Sequence, residues 1–167
     1  MALAVLNKFK WKKLIHYIIG QYLGAFLAAG TVYAVYYQAI EQLEQQAWGI
    51  AHTINGTFDR VELTGGIFST FPHRGISIGF ILTDQIISTA LLMIAILGIT
   101  ESSSFQNSLE KSGSAVPKYF QPLALALSLL LIILCFGFNC GAPLNPARDL
   151  GPRIFSALIG YGPDVFK

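Results

Sequence analysis

Charge is scarce in this chain. Asp, Glu, Lys and Arg together make up 12% of its 167 residues, about half the share of an ordinary soluble domain, where roughly a quarter are charged. With a positive mean hydropathy, that scarcity argues against a soluble domain and puts a membrane class first. Basic blocks are missing too. The formal net charge is +2 and no basic run is longer than Lys12-Lys13, so there is no electrostatic footprint for nucleic acid. Two cysteines, Cys135 and Cys140, cannot form a disulfide framework, and both lie in or beside an apolar run, which suits small buried thiols. Neither has a His or Cys partner at metal-ligand spacing. The three histidines, His16, His52 and His73, are scattered and form no nucleophile–base grouping. The expectation is a protein without metal or cofactor, and not an enzyme.

Long apolar runs are what the chain has instead. Leu14–Tyr37 contains no Asp, Glu, Lys or Arg. Ile76–Thr100 contains one acid, Asp84, and Pro122–Leu144 is again uncharged. A helix rises about 1.5 Å per residue, so about 20 residues cross a hydrocarbon core of about 30 Å. Each run is long enough, and three transmembrane helices are expected, at 14–37, 76–100 and 122–140. Lys8, Lys10, Lys12 and Lys13 precede the first, which places that end in the cytoplasm. The link Gln38–Gly75 carries Arg60 and Arg74 against Glu41, Glu44, Asp59 and Glu62 and suits the outside. The Ser-rich link Glu101–Gln121, with Lys111 and Lys118, then returns inside. Asn55-Gly56-Thr57 is a glycosylation sequon in the outer link, which makes Asn55 a candidate acceptor.

Within the first run, Gly20, Gly24, Ala25, Ala28 and Ala29 fall three or four apart. In lipid, helices attract by close packing, and small side chains let backbones approach. This helix is therefore expected to pack on protein, with Gln21 hydrogen-bonding across to a neighbour. Asp84 is costly inside a membrane and calls for a partner, a cavity or the interface. Gln85 beside it is neutral, offers two donors and an acceptor, and can tie down nearby backbone.

The stretch Gly141–Arg153, GAPLNPARDLGPR, follows the third run directly. Asn145 is a strong N-cap, and Pro146 is tolerated at the first helical position. Gly141 and Pro143 favour a non-helical approach. The third helix should thus end near Asn139, extended backbone should follow through Leu144, and a short helix should start at Pro146. Such backbone is acceptable at membrane depth only where it lines a wet cavity or is buried in protein. The carbonyls of Gly141, Pro143 and Leu144 would then offer a row of acceptors. The Asn145 amide would offer donors, Arg148 a fixed guanidinium, and the helix N-terminus about half a positive charge. Neutral hydroxylated molecules could pass such a site while cations and protons are repelled. An ordinary loop leading to an N-capped surface helix fits the same residues, and both readings stand at this level.

NPAR followed by DLGPR resembles the second signature of the major intrinsic proteins, the aquaporin family, and the Asp after the Arg resembles its glycerol-permeating branch, the aquaglyceroporins. Further matches run along nearly the whole chain. Gln21–Phe26 is similar to the start of the family's third helix, and Gly66–Pro72 to the outer-loop motif of glycerol channels. Phe80–Thr89, with Asp84-Gln85, is similar to the fourth helix, and Gly137–Gly141 to the approach to the second signature. The resemblance implies that Asn145, Pro146 and Ala147 form the pore motif and that Arg148 belongs to the outer selectivity filter. It implies filter positions at Ala142, where a small residue widens the constriction, and at Ile133, where glycerol channels usually carry Gly. It gives Gln85 the task of bracing the re-entrant backbone.

Family members carry six spanning helices and two such signatures related by an inverted repeat. Here one signature and three spans are present. Met1–Leu6 resembles the tail of the first half-helix, and Tyr161–Phe166 the lead into the sixth helix, so the resemblance implies an interior portion of a longer channel. The expected fold is all-α: a partial aquaporin-like right-handed helix bundle with three transmembrane helices and one re-entrant half-helix carrying a single NPA motif. Residues 1–9 would be the tail of the first half-helix and 141–160 the re-entrant loop and half-helix. The implied activity of the full-length form is passive passage of glycerol, water and small polyols through a homotetramer in the lipid bilayer of the plasma membrane. The alternative is a truncated, non-conducting product that associates with full-length subunits.

Overall fold

The computed structural model describes residues 2–5, 10–54, 56–100 and 119–166. Among the described residues every regular element is helical: α1 (Ala2–Val5), α2 (Trp11–Thr53), α3 (Arg60–Thr64), α4 (Ile78–Thr100), α5 (Gln121–Phe136) and α6 (Pro146–Ser156). Two of these, α2 and α4, are long and apolar enough to cross a membrane, and α5 is a shorter apolar helix. The chain divides into two compact units, residues 1–70 with 145–167, and residues 71–144.

The first unit is built on α2. Its 43 residues extend over about 65 Å, twice what a bilayer core requires. The helix does not stop at Tyr37, where the apolar run ends. Residues 38–53 are polar but consist mainly of Gln, Glu, Ala and Leu, all good helix formers, with no proline to interrupt them. Polarity takes the helix out of the apolar layer without breaking it. What was expected as a link from Gln38 is therefore helix to Thr53. A short turn leads to α3, whose Asp59 N-cap accepts from the backbone N–H groups of Val61 and Glu62, and a 3-10 turn follows at Gly65–Ile67.

Helix α6 packs against α2 at the small-residue face. At Gly151 a methyl in place of hydrogen would lie 2.9 Å from Ala25 Cβ and 3.1 Å from the Tyr22 carbonyl oxygen, so only glycine lets the two backbones meet this closely. The joint is filled by aromatic rings. Phe155 of α6 meets Phe26 edge-on at 5.4 Å and Tyr33 at 5.9 Å. Phe68 lies 6.1 Å from Phe155 and 5.9 Å from Tyr161. Ala29, Ile40, Phe68, Tyr161 and Val165 form the buried core of this unit. A separate stripe of α2, Ile15, Ile19, Leu23 and Leu27, is exposed, as suits a surface facing hydrocarbon rather than water.

In the second unit α4 packs against α5. Helix α5 ends at Phe136 rather than near residue 140. Gly137 closes it, donating to the Ile133 carbonyl, and a turn follows in which the Gly141 N–H donates to the Gly137 carbonyl at 2.8 Å. Gly137 and the Asn139-Cys140-Gly141 run disfavour a further helical turn. The two cysteines differ: Cys140 is buried, whereas Cys135 is exposed on α5, against the expectation of two buried thiols. Beside a run of exposed leucines an apolar thiol tolerates a lipid-facing surface as readily as a protein core.

Candidate functional site

Helix α6 begins where asparagine and proline set it. Asn145 is extended (φ −129°, ψ 112°), and its side-chain oxygen accepts from the Ala147 N–H at 3.0 Å, satisfying one of the donors that a helix start leaves open. Pro146, at the first position, forfeits no bond. Ala147 is buried and Arg148 is exposed. Pro152, inside the helix, has no N–H to donate to the Arg148 carbonyl.

Asn145, Ala147 and Arg148 line an open groove of about 460 Å³ with Gly20, Gln21, Gly24, Ala25 and Ala28 of α2 and with Ile67 and Phe68. Its wall is mainly apolar, and Asn145, Arg148 and Gln21 are its polar lining residues. The Arg148 guanidinium has no hydrogen-bond partner among the described residues. Gln21 faces the groove. His16 instead stays with its own helix, its Nδ1 lying 3.1 Å from the Lys12 carbonyl.

The approach to this helix belongs to the second unit. Gly141, Ala142 and Leu144 all adopt positive φ, at 74°, 49° and 44°. For Ala and Leu that conformation is sterically costly and persists only where the surroundings hold it. The Leu144 N–H points to Gln85 Oε1 at 3.4 Å. The Gln85 amide nitrogen donates to Cys140 Sγ at 2.9 Å and to Asp84 Oδ2 at 3.3 Å. Asp84 is buried, at 8% exposed. Ala142 is buried, Gly141 exposed, and Pro143 and Leu144 intermediate, while Ile133 is 40% exposed on α5. Asn55, the glycosylation candidate, lies outside the described residues, as do Lys8, Lys111 and Lys118.

Two polar networks in the first unit join residues far apart in the sequence. Asp149 Oδ1 accepts from both the backbone N–H and the hydroxyl of Thr70, at 2.9 and 2.6 Å. Arg153 pairs with Asp149 at 3.0 Å and donates to the carbonyls of Thr70 and Val165. The i,i+4 spacing of Asp149 and Arg153 hints at the pair, but nothing local points to Thr70. The second network gathers on Glu44, whose Oε1 accepts from Arg60 Nε at 2.8 Å, Thr64 Oγ1 at 2.8 Å and Tyr161 OH at 3.2 Å. Burial, and secondarily the Glu44 carboxylate, raises the Tyr161 hydroxyl above the usual phenol range, so it remains a neutral hydrogen-bonding group. Among the described residues no three His, Cys, Asp or Glu side chains are grouped to hold a metal ion.

Membrane-length apolar helices, one with an exposed aliphatic stripe, suit a membrane protein. The chain belongs to the major intrinsic protein family, whose family profile matches residues 1–161. Aquaporin-10 of Homo sapiens is 35% identical over the whole chain, which covers 50% of that relative. Aquaporin-9 of Homo sapiens is 33% identical, with 100% of this chain and 51% of the relative covered. Aquaporin-1 of Milnesium tardigradum is 35% identical over 99% of this chain and 45% of its own length. The chain thus spans about half the length of the curated relatives it matches. Among solved structures, the aquaglyceroporin from Plasmodium falciparum superposes with a TM-score of 0.74 at 28% identity, covering 99% of this chain and 57% of that one. The fold is a partial aquaporin-like helix bundle.

Proposed function

We propose that the protein bearing this sequence is a passive channel for glycerol, water and other small neutral solutes, excluding ions and protons, and that it works as a homotetramer in the plasma membrane. The observation that carries this proposal is the N-capped start of α6 at Asn145, opening on a groove lined by small and apolar residues with one uncommitted guanidinium. A neutral hydroxylated solute loses its water shell on entry and needs replacement partners. The Asn145 amide supplies donors, and the carbonyls of Gly141, Pro143 and Leu144 supply acceptors, with Gln85 bracing that backbone. The apolar wall takes the solute's C–H face. Arg148 and the positive end of α6 make the route unfavourable for cations. Ala142 and Ile133 set the width of the filter. Relatives named aquaporin-10 and aquaporin-9, and the similarity to a structure titled an aquaglyceroporin, support the same proposal.

The test is solute flux in vesicles containing the protein. Glycerol and water permeabilities well above those of empty vesicles are expected, with no proton or sodium conductance. Arg148→Val is expected to admit small cations measurably while leaving glycerol flux within about threefold. Background permeability, or exclusion of ions undiminished in the variant, would remove this assignment. If the protein leaves glycerol flux at background yet lowers that of a co-expressed six-helix channel, it acts by association with that channel instead.

A further inference from the structure

Glu44 lies on the polar extension of α2, beyond the apolar run and away from the proposed solute groups, yet one of its oxygens collects three donors. Arg60 and Thr64 come from α3, and Tyr161 comes from the segment after α6. The cluster is closed on itself. Tyr161 OH and Thr64 Oγ1 are 2.7 Å apart, and the Arg60 guanidinium stands 4.1 Å above the Tyr161 ring. A second nitrogen of Arg60 reaches the Ile159 carbonyl at 3.4 Å. It also lies 3.0 Å from where a methyl would sit on Gly160, whose φ is +106°. Arg60 therefore fits against the break that ends the half-helix segment, and glycine alone meets both the φ and the space there.

The cluster reaches the groove through one ring. Tyr161 packs edge-on against Phe68 at 5.9 Å. Phe68 is 5% exposed and lines the same groove as Asn145 and Arg148. Its other ring neighbours, Tyr33 and Phe155, stand at 6.2 and 6.1 Å. The backbone at Phe68 forms a 3-10 turn, with Phe68 and Ser69 N–H groups both donating to the Gly65 carbonyl, and two residues on Thr70 is tied to Asp149 and Arg153. A turn that short does not fix a ring by itself. The ring's place depends on what packs behind it, and Tyr161 is pinned there by Glu44 and Arg60.

We infer that Glu44 is a positioning residue for solute size selection: through Arg60 and Tyr161 it holds Phe68 as a wall of the groove and so limits the size of polyol that the groove admits. The effect is on width, because the ring offers no hydrogen bond to a solute. It rests on the channel proposal above, and the experiment separates the two. Water, glycerol and a five-carbon polyol are compared in vesicles at matched protein content for wild type, Glu44→Gln, Tyr161→Phe and Phe68→Ala. Tyr161→Phe keeps the ring that Arg60 covers and removes only the hydroxyl bonds. The pentitol-to-water permeability ratio is expected to rise about threefold in Glu44→Gln and Tyr161→Phe and more in Phe68→Ala. Backbone hydrogen exchange supplies a readout that needs no flux: residues 65–69 are expected to exchange faster in Glu44→Gln while α4 exchanges as in wild type. Permeabilities that all fall in proportion, or an unchanged ratio, overturn the inference. If wild type itself conducts nothing, the channel proposal fails, and exchange at 65–69 that is indifferent to Glu44→Gln overturns the positioning role independently.

Discussion

Helix α6 and the backbone that leads into it are fastened by opposite means. Helix α6 is held by ionised groups and by the absence of side-chain atoms. Asp149 and Arg153 grip Thr70 from both sides, and Gly151 leaves room for α2 to touch it. The approach at Gly141–Leu144 carries no ion pair among the described residues. It is held in costly left-handed conformations at Ala142 and Leu144 by a long bond to the neutral Gln85 amide and by the turn below it. The Asn139 carbonyl also accepts from the His73 N–H at 2.8 Å. The contrast follows from what each segment presents. A helix consumes its own carbonyls and can be anchored by charges at its far end. A stretch whose carbonyls stay free has no internal ladder, so its shape must be imposed from outside.

The contrast implies that adding atoms damages the first segment and that removing atoms relieves the second. Gly151→Leu has the largest expected effect. With Ala25 and the Tyr22 backbone already at contact, the added side chain must push α6 off α2, at about 2–3 kcal/mol. A clearly lowered thermal midpoint in detergent and loss of solute flux would register it. Asp149→Ala comes next. It strips Thr70 of two acceptor contacts and removes the i,i+4 carboxylate from Arg153. About 1–2 kcal/mol is expected, since polar bonds in membrane proteins are individually modest, with faster hydrogen exchange at Thr70. Ala142→Gly is the smallest and has the opposite sign. At φ 49° glycine relieves the steric cost of a Cβ, offset in part by the freer unfolded chain, for a net gain of about 0.5 kcal/mol. A midpoint that falls in this variant would show that the approach is not strained, and the comparison between the two segments would lose its basis.

Much of the architecture is local and therefore legible along the chain. Apolar runs of membrane length announce helices, and the Asn145-Pro146 pair writes a helix start by cap and ring chemistry that needs no distant partner. The spacing of Gly20, Gly24, Ala25 and Ala28 marks a face for close packing. The polar extension of α2 to Thr53 was hidden because its residues differ from the apolar run in solvent preference, not in helix propensity. Early closure of α5 at Gly137 was hidden because an apolar run does not show where its hydrogen-bond ladder stops.

By itself, the order of residues determined the all-α membrane class, the family, and a short helix entered through irregular backbone, because each depends on neighbours within a few positions. Only the tertiary structure decided that Thr70 would be the partner of Asp149, that Glu44 would gather Arg60, Thr64 and Tyr161, and that Phe68 would wall the groove. Such pairings join residues up to 117 positions apart. Each side chain could satisfy its hydrogen bonds with many others, and only the packing of α6 and α3 on α2 brings one choice within reach.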